Sequence, residues 1–270
     1  MHFSNLLEKQ VLYPLNEVLP KDYFKNLPQG FQFIKEAVTF KGKIYAIPSF
    51  VHNPVDGYIM FWNKKMFERE NLPNLYNLQK SREWTWEKMA QIAKQVTDDT
   101  DGDGEIDQWG LGNIAILPLL KTYQASVLKS TKTGKVKFNM TSDKNVKALT
   151  FLQKLCYKSN VIYPDNQRNS IEEFLQGDIA MFFGRNRSPS FFLRDYSRED
   201  LKDTGMIYLP IGPQRSDYVV PSHVYKITAF PINVKRPKGL LHIYQSIFKP
   251  QDMHQIIEKQ AESYTFDKQS

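Results

Sequence analysis

The sequence predicts an α/β protein with a mainly parallel sheet, and three observations carry the prediction. Short apolar runs of strand type, at 58–62, 179–184 and 206–210, alternate with longer segments whose apolar residues recur at helical spacing. The runs at 58–62 and 179–184 are apolar at every position, as strands covered on both faces are. The strands end in glycine or polar loops, which is the pattern of helices packed on a sheet. At 270 residues the chain is long enough for one large domain or two lobes.

Residues 6–19 form an amphipathic segment, followed by Pro20 and Pro28 as breaks. Lys41, Gly42 and Lys43 predict a hairpin turn between strands at 37–40 and 44–47, and Pro48 stops the second strand. A polar loop at 52–57 leads into the strand at 58–62, and residues 63–70 read as a short helix. Thr85 suits an N-cap, and Met89, Ile92, Ala93 and Val96 follow at helical spacing. Further helices are expected over 117–128 and 142–157, the second opened by Ser142 or Asp143. A short helix at 171–176 ends at Gly177. Strands follow at 179–184, 206–210 and 225–230, and the chain from about Gly239 onward is helical and polar.

Composition narrows the functions. Hydrophobic residues make up 41% and charged residues 24%, ordinary values that exclude disordered and fibrous classes. No apolar run approaches the ~20 residues that span a bilayer. The opening residues, Met1 to Glu8, lack the basic and then apolar order of a signal peptide. The single cysteine, Cys156, excludes an internal disulfide and any multi-cysteine metal site; its helical surroundings predict burial as a small hydrophobe. The net charge is +7, with basic residues scattered and no run of five or more. Nucleic acid, an anionic ligand, an anionic cell surface and a plainly solvated face all remain compatible with that.

The strongest local motif is acidic. Asp99, Asp101, Asp103 and Asp107 occupy positions 1, 3, 5 and 9 of a loop with Gly104 at position 6, the first part of an EF-hand-like calcium loop. Glu105, at position 7, would donate its backbone carbonyl. Position 12 is Gly110 rather than glutamate, so the expectation is a lone structural Ca2+ loop with Asp99, Asp101, Asp103, Glu105 and Asp107 as the metal set. A solvated acidic loop is the alternative. Signatures of nucleophile elbows, zincins, P-loops and dinucleotide folds are missing, and His2, His52, His223, His242 and His254 are dispersed. The carboxylate pairs Glu68/Glu70 and Glu172/Glu173 fall in helical patterns, where a solvated face is expected. Nothing here argues for an enzyme.

The order of motifs is more specific than any one of them. Gly57 to Glu68 is followed by Leu72-Pro73-Asn74, Trp84-Thr85-Trp86-Glu87, the acidic loop and Trp109-Gly110-Leu111-Gly112. This order resembles the extracellular solute-binding proteins of bacterial ABC importers, in the sugar-binding group related to maltose-binding protein. Phe174-Leu175-Gln176-Gly177 through Ala180-Met181, Pro210-Ile211-Gly212-Pro213, the stretch from Tyr225 to Asn233, and Lys41 to Pro48 agree with it, so the resemblance covers roughly 1–250.

The resemblance implies a periplasmic-binding-protein-like fold of two α/β lobes joined by crossover strands near 54–58 and 224–229. The first lobe would hold 1–56 and 226–270, and the second 57–225. It also implies an incomplete copy, lacking the start and end of the first lobe. The implied function is a non-enzymatic receptor that binds an oligosaccharide between its lobes and delivers it to the transmembrane subunits of an ABC permease. It would act as a monomer outside the cell, lipid-anchored or periplasmic, with no nucleic-acid partner. Implied ligand residues are Ser49, Phe50, His52 and Asn53 on the first lobe, Asp56 and Tyr58 at the crossover, and Asn113 on the second. Arg185 and Asn186 stand where the family often has a stacking tryptophan, and Tyr225 and His223 lie near the second crossover. Arg185 and the net charge point to an acidic oligosaccharide such as a uronide, the alternative being that Arg185 and Arg187 face solvent or pair with Asp178 and Asp195. The alternatives are a carbohydrate-acting enzyme and a remnant with no working cleft.

Overall fold

The computed structural model describes residues 3–28, 31–49, 55–112, 114–130, 136–164, 167–185, 197, 201–224 and 226–248. The elements begin with α1 (Phe3–Glu8), α2 (Ile34–Ala37), β1 (Thr39–Phe40), β2 (Lys43–Ile44), β3 (Ile47–Pro48) and β4 (Val55–Asn63). Next come α3 (Lys64–Arg69), α4 (Leu75–Lys80), α5 (Trp86–Val96), β5 (Trp109–Leu111), α6 (Ile116–Thr122), β6 (Leu128–Ser130) and β7 (Val136–Phe138). The chain continues through α7 (Asp143–Gln153), α8 (Gln167–Gln176), β8 (Ile179–Arg185), β9 (Thr204–Ile207), β10 (Ser222–Val224), β11 (Ile227–Thr228) and α9 (Pro237–Ile247).

These elements fall into two compact units. The first takes Met1–Asp56 and the chain from His223 through α9; the second takes Gly57–Ser222. In the first unit β1 and β2 pair antiparallel, Thr39 opposite Ile44. Lys41 and Gly42 both have positive φ, 48° and 76°, the geometry that lets a two-residue loop match the twist of its strands. β3 pairs antiparallel with β11, and Ser49 N donates to Lys226 O at 3.2 Å. Leu15, Leu19, Tyr23, Phe24, Ile34, Ile47, Phe230 and Leu241 form this unit's core.

The second unit is built on a five-stranded sheet in the order β10-β4-β8-β5, with β9 also paired to β4. The mainly parallel sheet expected from sequence is corrected here. β4 runs antiparallel to both β8 and β9, and β8 is parallel to β5. A strand apolar on both faces reads the same in either direction, so composition carried no orientation. Trp62, Phe67, Trp84, Trp86, Met89, Ile92, Met181 and Phe183 lie in the main core of this unit. The polar atoms of two of these tryptophans have partners: Trp84 Nε1 donates to Tyr208 O at 2.9 Å, and Trp86 Nε1 to Thr122 Oγ1 at 2.8 Å. Thr85 caps α5 as expected, its side chain accepting from Lys88 N.

Three further expectations differ from the structure. The helix expected over 117–128 stops at Thr122, where Gln124 takes φ 58° and Ala125 N bonds back to Leu120 O; a β6–β7 hairpin follows instead. Ser142 precedes α7, but its Oγ accepts from the Asn145 side chain and not from a backbone N–H. Cys156 is exposed. Residues Lys154–Lys158 form a π-helical turn, in which Leu155 takes the inward place.

Candidate functional site

In an open α/β sheet, ligands bind outside the carboxyl ends of the strands. In the second unit that edge is where β8 ends, at Arg185, directly opposite Tyr58 of β4. Arg185 Nη2 donates to the Tyr58 hydroxyl at 3.2 Å, and the guanidinium carbon stands 5.3 Å from the centre of the Tyr58 ring. Both residues have further interactions. The planar guanidinium fork suits a carboxylate or phosphate. Tyr58 is itself fixed from the backbone side, its N–H donating to Pro221 O at 3.1 Å.

The other sequence-predicted ligand residues are placed as follows. Ser49 is buried in the first unit, at the end of β3. Asp56 lies in β4 and His223 in β10, with side chains outside the described residues. Phe50, His52, Asn53, Asn113, Asn186 and Tyr225 also lie outside the described residues. The structure thus brings together Tyr58 and Arg185, two positions 127 apart in sequence.

The acidic loop is an excursion closed at its base. Asp98 N donates to Gln108 O at 2.9 Å and Gln108 N to Asp98 O at 3.1 Å. Inside it, the two Asp99 carboxylate oxygens accept from Gly102 N at 2.7 Å and Gly104 N at 2.8 Å. Gly104 has φ 97°, a conformation that suits glycine and strains other residues. Asp107 accepts from Thr100 N at 3.0 Å and Thr100 Oγ1 at 2.7 Å, and those bonds hold its carboxyl below the ordinary carboxylate range. Carboxylate oxygens of Asp99, Asp101 and Asp107 lie within 4.8 Å of one another. That donor set is all hard oxygen, the chemistry calcium takes. Asp103 and Glu105 are exposed and do not join this group; Asp103 Oδ1 instead accepts from Glu105 N at 2.8 Å.

Next to this loop lies a groove that motif reading did not find. It occupies about 660 Å3 and is lined among others by Arg69, Asp107, Trp109, Tyr163, Glu173 and Asp178. Trp109 N donates to Asp178 O at 2.8 Å, which places the groove at the amino ends of β5 and β8, opposite the Arg185 edge. Trp109 and Tyr163 meet edge to face at 5.9 Å. Arg69 donates through Nη2 to Gln108 Oε1. Glu173, expected on a solvated helix face, is instead partly buried. Burial first, and then the neighbouring Asp178 carboxyl, push its pKa up. No motif spacing links Tyr163, Glu173 and Asp178; the only signal was the abrupt end of the helix at Gly177.

Residues 2–235 match the family model of the bacterial extracellular solute-binding proteins. No curated protein sequence matches the chain. Among solved structures, it is similar to a maltose/maltodextrin-binding domain from Bdellovibrio bacteriovorus bound to maltotriose. That match has 20% identity and a TM-score of 0.62, and covers 91% of this chain and 58% of the other. An ABC transporter solute-binding protein from Thermotoga lettingae, bound with α-D-tagatose, matches at 18% identity and TM-score 0.65, over 96% and 62%. The GacH receptor of Streptomyces glaucescens, solved unliganded and with acarbose, matches at 15% identity and TM-score 0.64, over 96% and 61%. The chain spans about three-fifths of the length of these proteins. At such identities the likeness establishes the fold, which is periplasmic-binding-protein-like. With the family model matched over 2–235, this chain belongs to the bacterial extracellular solute-binding proteins.

Proposed function

We propose that this chain is the sugar-binding receptor of an ABC importer, non-enzymatic and monomeric, which passes a carbohydrate to a membrane permease outside the cytoplasm. The family match supports the receptor role, and the fold neighbours were solved with maltotriose, tagatose and acarbose. Among the described residues no helix is long and apolar enough to cross a membrane.

The observation that carries the ligand class is the Arg185–Tyr58 pair at the carboxyl end of β8. Arg185 covers the Tyr58 ring, so a cation stands at this edge where a bare aromatic face would suit a neutral pyranose. The ligand is therefore an acidic oligosaccharide, with Arg185 on its carboxylate. Ser49, Phe50, His52, Asn53, Asp56, Asn113, Asn186 and Tyr225 complete the proposed set. In the same proposal, Asp99, Asp101 and Asp107 hold a structural calcium ion.

A thermal-shift panel of neutral and uronic-acid oligosaccharides, run with calcium present, tests this reading. A ligand at 100 times its Kd adds about 2.7 kcal/mol, a rise of several degrees. Uronides should raise the melting temperature, and Arg185→Gln should abolish that rise. A shift with neutral sugars alone would overturn the acidic reading and keep the carbohydrate one. A cooperative melt that no sugar moves would overturn both.

A further inference from the structure

Charge is unevenly placed along the chain. Residues 108–164 hold nine lysines, no arginine and one acid, Asp143, a net +8; the other 213 residues net −1. The excess of the whole protein thus belongs to one stretch of the second unit.

The fold gathers that stretch. Asn145 Nδ2, in the first turn of α7, donates to Ser126 O at 3.1 Å and Asn139 O at 2.7 Å, and so ties the helix to the base of the β6–β7 hairpin. α7 and its π-helical end bury Asn145, Ala148, Leu152 and Leu155. At 100° per residue, that places Lys147, Lys154 and Lys158 in one stripe on the opposite, solvent side. All three are exposed, as are Lys129 and Lys137. Lys129 and Lys137 also stand directly opposite each other across the hairpin. Facing like charges destabilise a strand pair, and among the described residues no acid forms an ion pair with either.

Apolar side chains stand among these lysines. Tyr157 is 83% exposed and Val146 49%, both on the outer side of the α7 helix. Leu128 and Phe138, also cross-strand partners, are 58% and 68% exposed. An exposed apolar side chain beside cations has no use for a soluble polyanion, but it suits the headgroup boundary of a bilayer. The cation type agrees. Nucleic acid and discrete phosphates favour the arginine fork, and this stretch has none, whereas lysine serves diffuse attraction to an anionic surface.

We propose that the outer side of α7 and the β6–β7 hairpin dock this protein on an anionic lipid surface. The lysines face the headgroups, and Tyr157, Phe138, Leu128 and Val146 enter the boundary layer. Docking of this kind keeps a receptor near the membrane that carries its permease, and it is independent of which ligand the receptor carries.

The experiment is co-sedimentation of the full chain with phosphatidylglycerol/phosphatidylcholine vesicles and with phosphatidylcholine vesicles, at about 50 and about 300 mM salt. The protein should sediment with the anionic vesicles at low salt, leave them at high salt, and ignore the neutral ones. Each lysine neutralised should weaken binding about fivefold, so Lys147→Gln/Lys154→Gln/Lys158→Gln together should weaken it about a hundredfold. Tyr157→Ala/Phe138→Ser should weaken binding by an amount that salt does not change. The proposal is overturned if anionic vesicles do not bind at low salt, or if the triple variant binds as the parent does. It is overturned in favour of a soluble polyanion if polyphosphate binds and vesicles do not. The salt dependence of the parent protein decides the matter even if a variant fails to fold.

Discussion

Two neighbouring stretches of the second unit crowd like charges and handle them in opposite ways. Residues 98–107 carry six acids and no base, and the next 57 residues carry a net +8. Three of these acids are drawn toward one another: Asp99 and Asp107 each accept two hydrogen bonds from their own loop, and the carboxylates of Asp99, Asp101 and Asp107 converge. The lysines are turned outward, in a stripe along α7 and across the hairpin. Inward convergence concentrates charge for a small hard cation. Outward dispersal offers it to a broad surface. The sign of the charge matters less than whether the backbone closes on it.

The comparison can be broken first at Asp99, where the largest effect is expected. Asp99→Ala removes the acceptor for Gly102 N and Gly104 N and one of the three converging carboxylates. Loss of a cap-like acceptor costs about 1–2 kcal/mol, and the calcium stabilisation proposed above should vanish as well. Melting curves in millimolar calcium and in chelator check both parts. Parent protein that melts at one temperature in both conditions would mean that the hydrogen bonds alone hold the loop.

The lysine side should respond far less. Lys147→Gln/Lys154→Gln/Lys158→Gln removes three exposed charges that the fold does not use, so stability in denaturant should change by no more than about 0.5 kcal/mol per site. A larger loss would mean that these lysines support the fold itself, and the contrast with the acidic loop would fail.

Much of this was legible in the sequence, and what was missed has physical reasons. Thr85 and the Lys41-Gly42 turn are local signals and form as read, and of the acidic spacing three carboxylates, Asp99, Asp101 and Asp107, come together. The meeting of Tyr58 with Arg185 depends on the register of β4 against β8, which no local pattern specifies; only the family resemblance brought both into one candidate set. The β6–β7 hairpin escaped because Leu128 and Phe138 look outward, leaving no buried alternation to read. The lysine stripe escaped because helical spacing spreads it over Lys147, Lys154 and Lys158, so a search for consecutive charges passes it by. The missing acids between Asp107 and Asp143 were the better signal.

The finest test of the comparison is Glu173, an acid beside the closed loop that lacks its cage of backbone donors. Burial and the nearby Asp178 raise its pKa above the ordinary value, and the bond from Tyr163 opposes them. A carboxyl raised on folding favours the fold fully below its ordinary range, and that contribution is lost as pH rises through the raised value. Once ionised, Glu173 is therefore a small liability to the fold. Glu173→Gln should gain stability at pH 7, by no more than about 0.5 kcal/mol, and the gain should shrink toward pH 4. Urea unfolding of both proteins at the two pH values measures it. A variant less stable than the parent at pH 7 would show that the hydrogen bond from Tyr163 outweighs the repulsion. Convergent carboxylates would then be tolerated on this side of the sheet even without backbone donors.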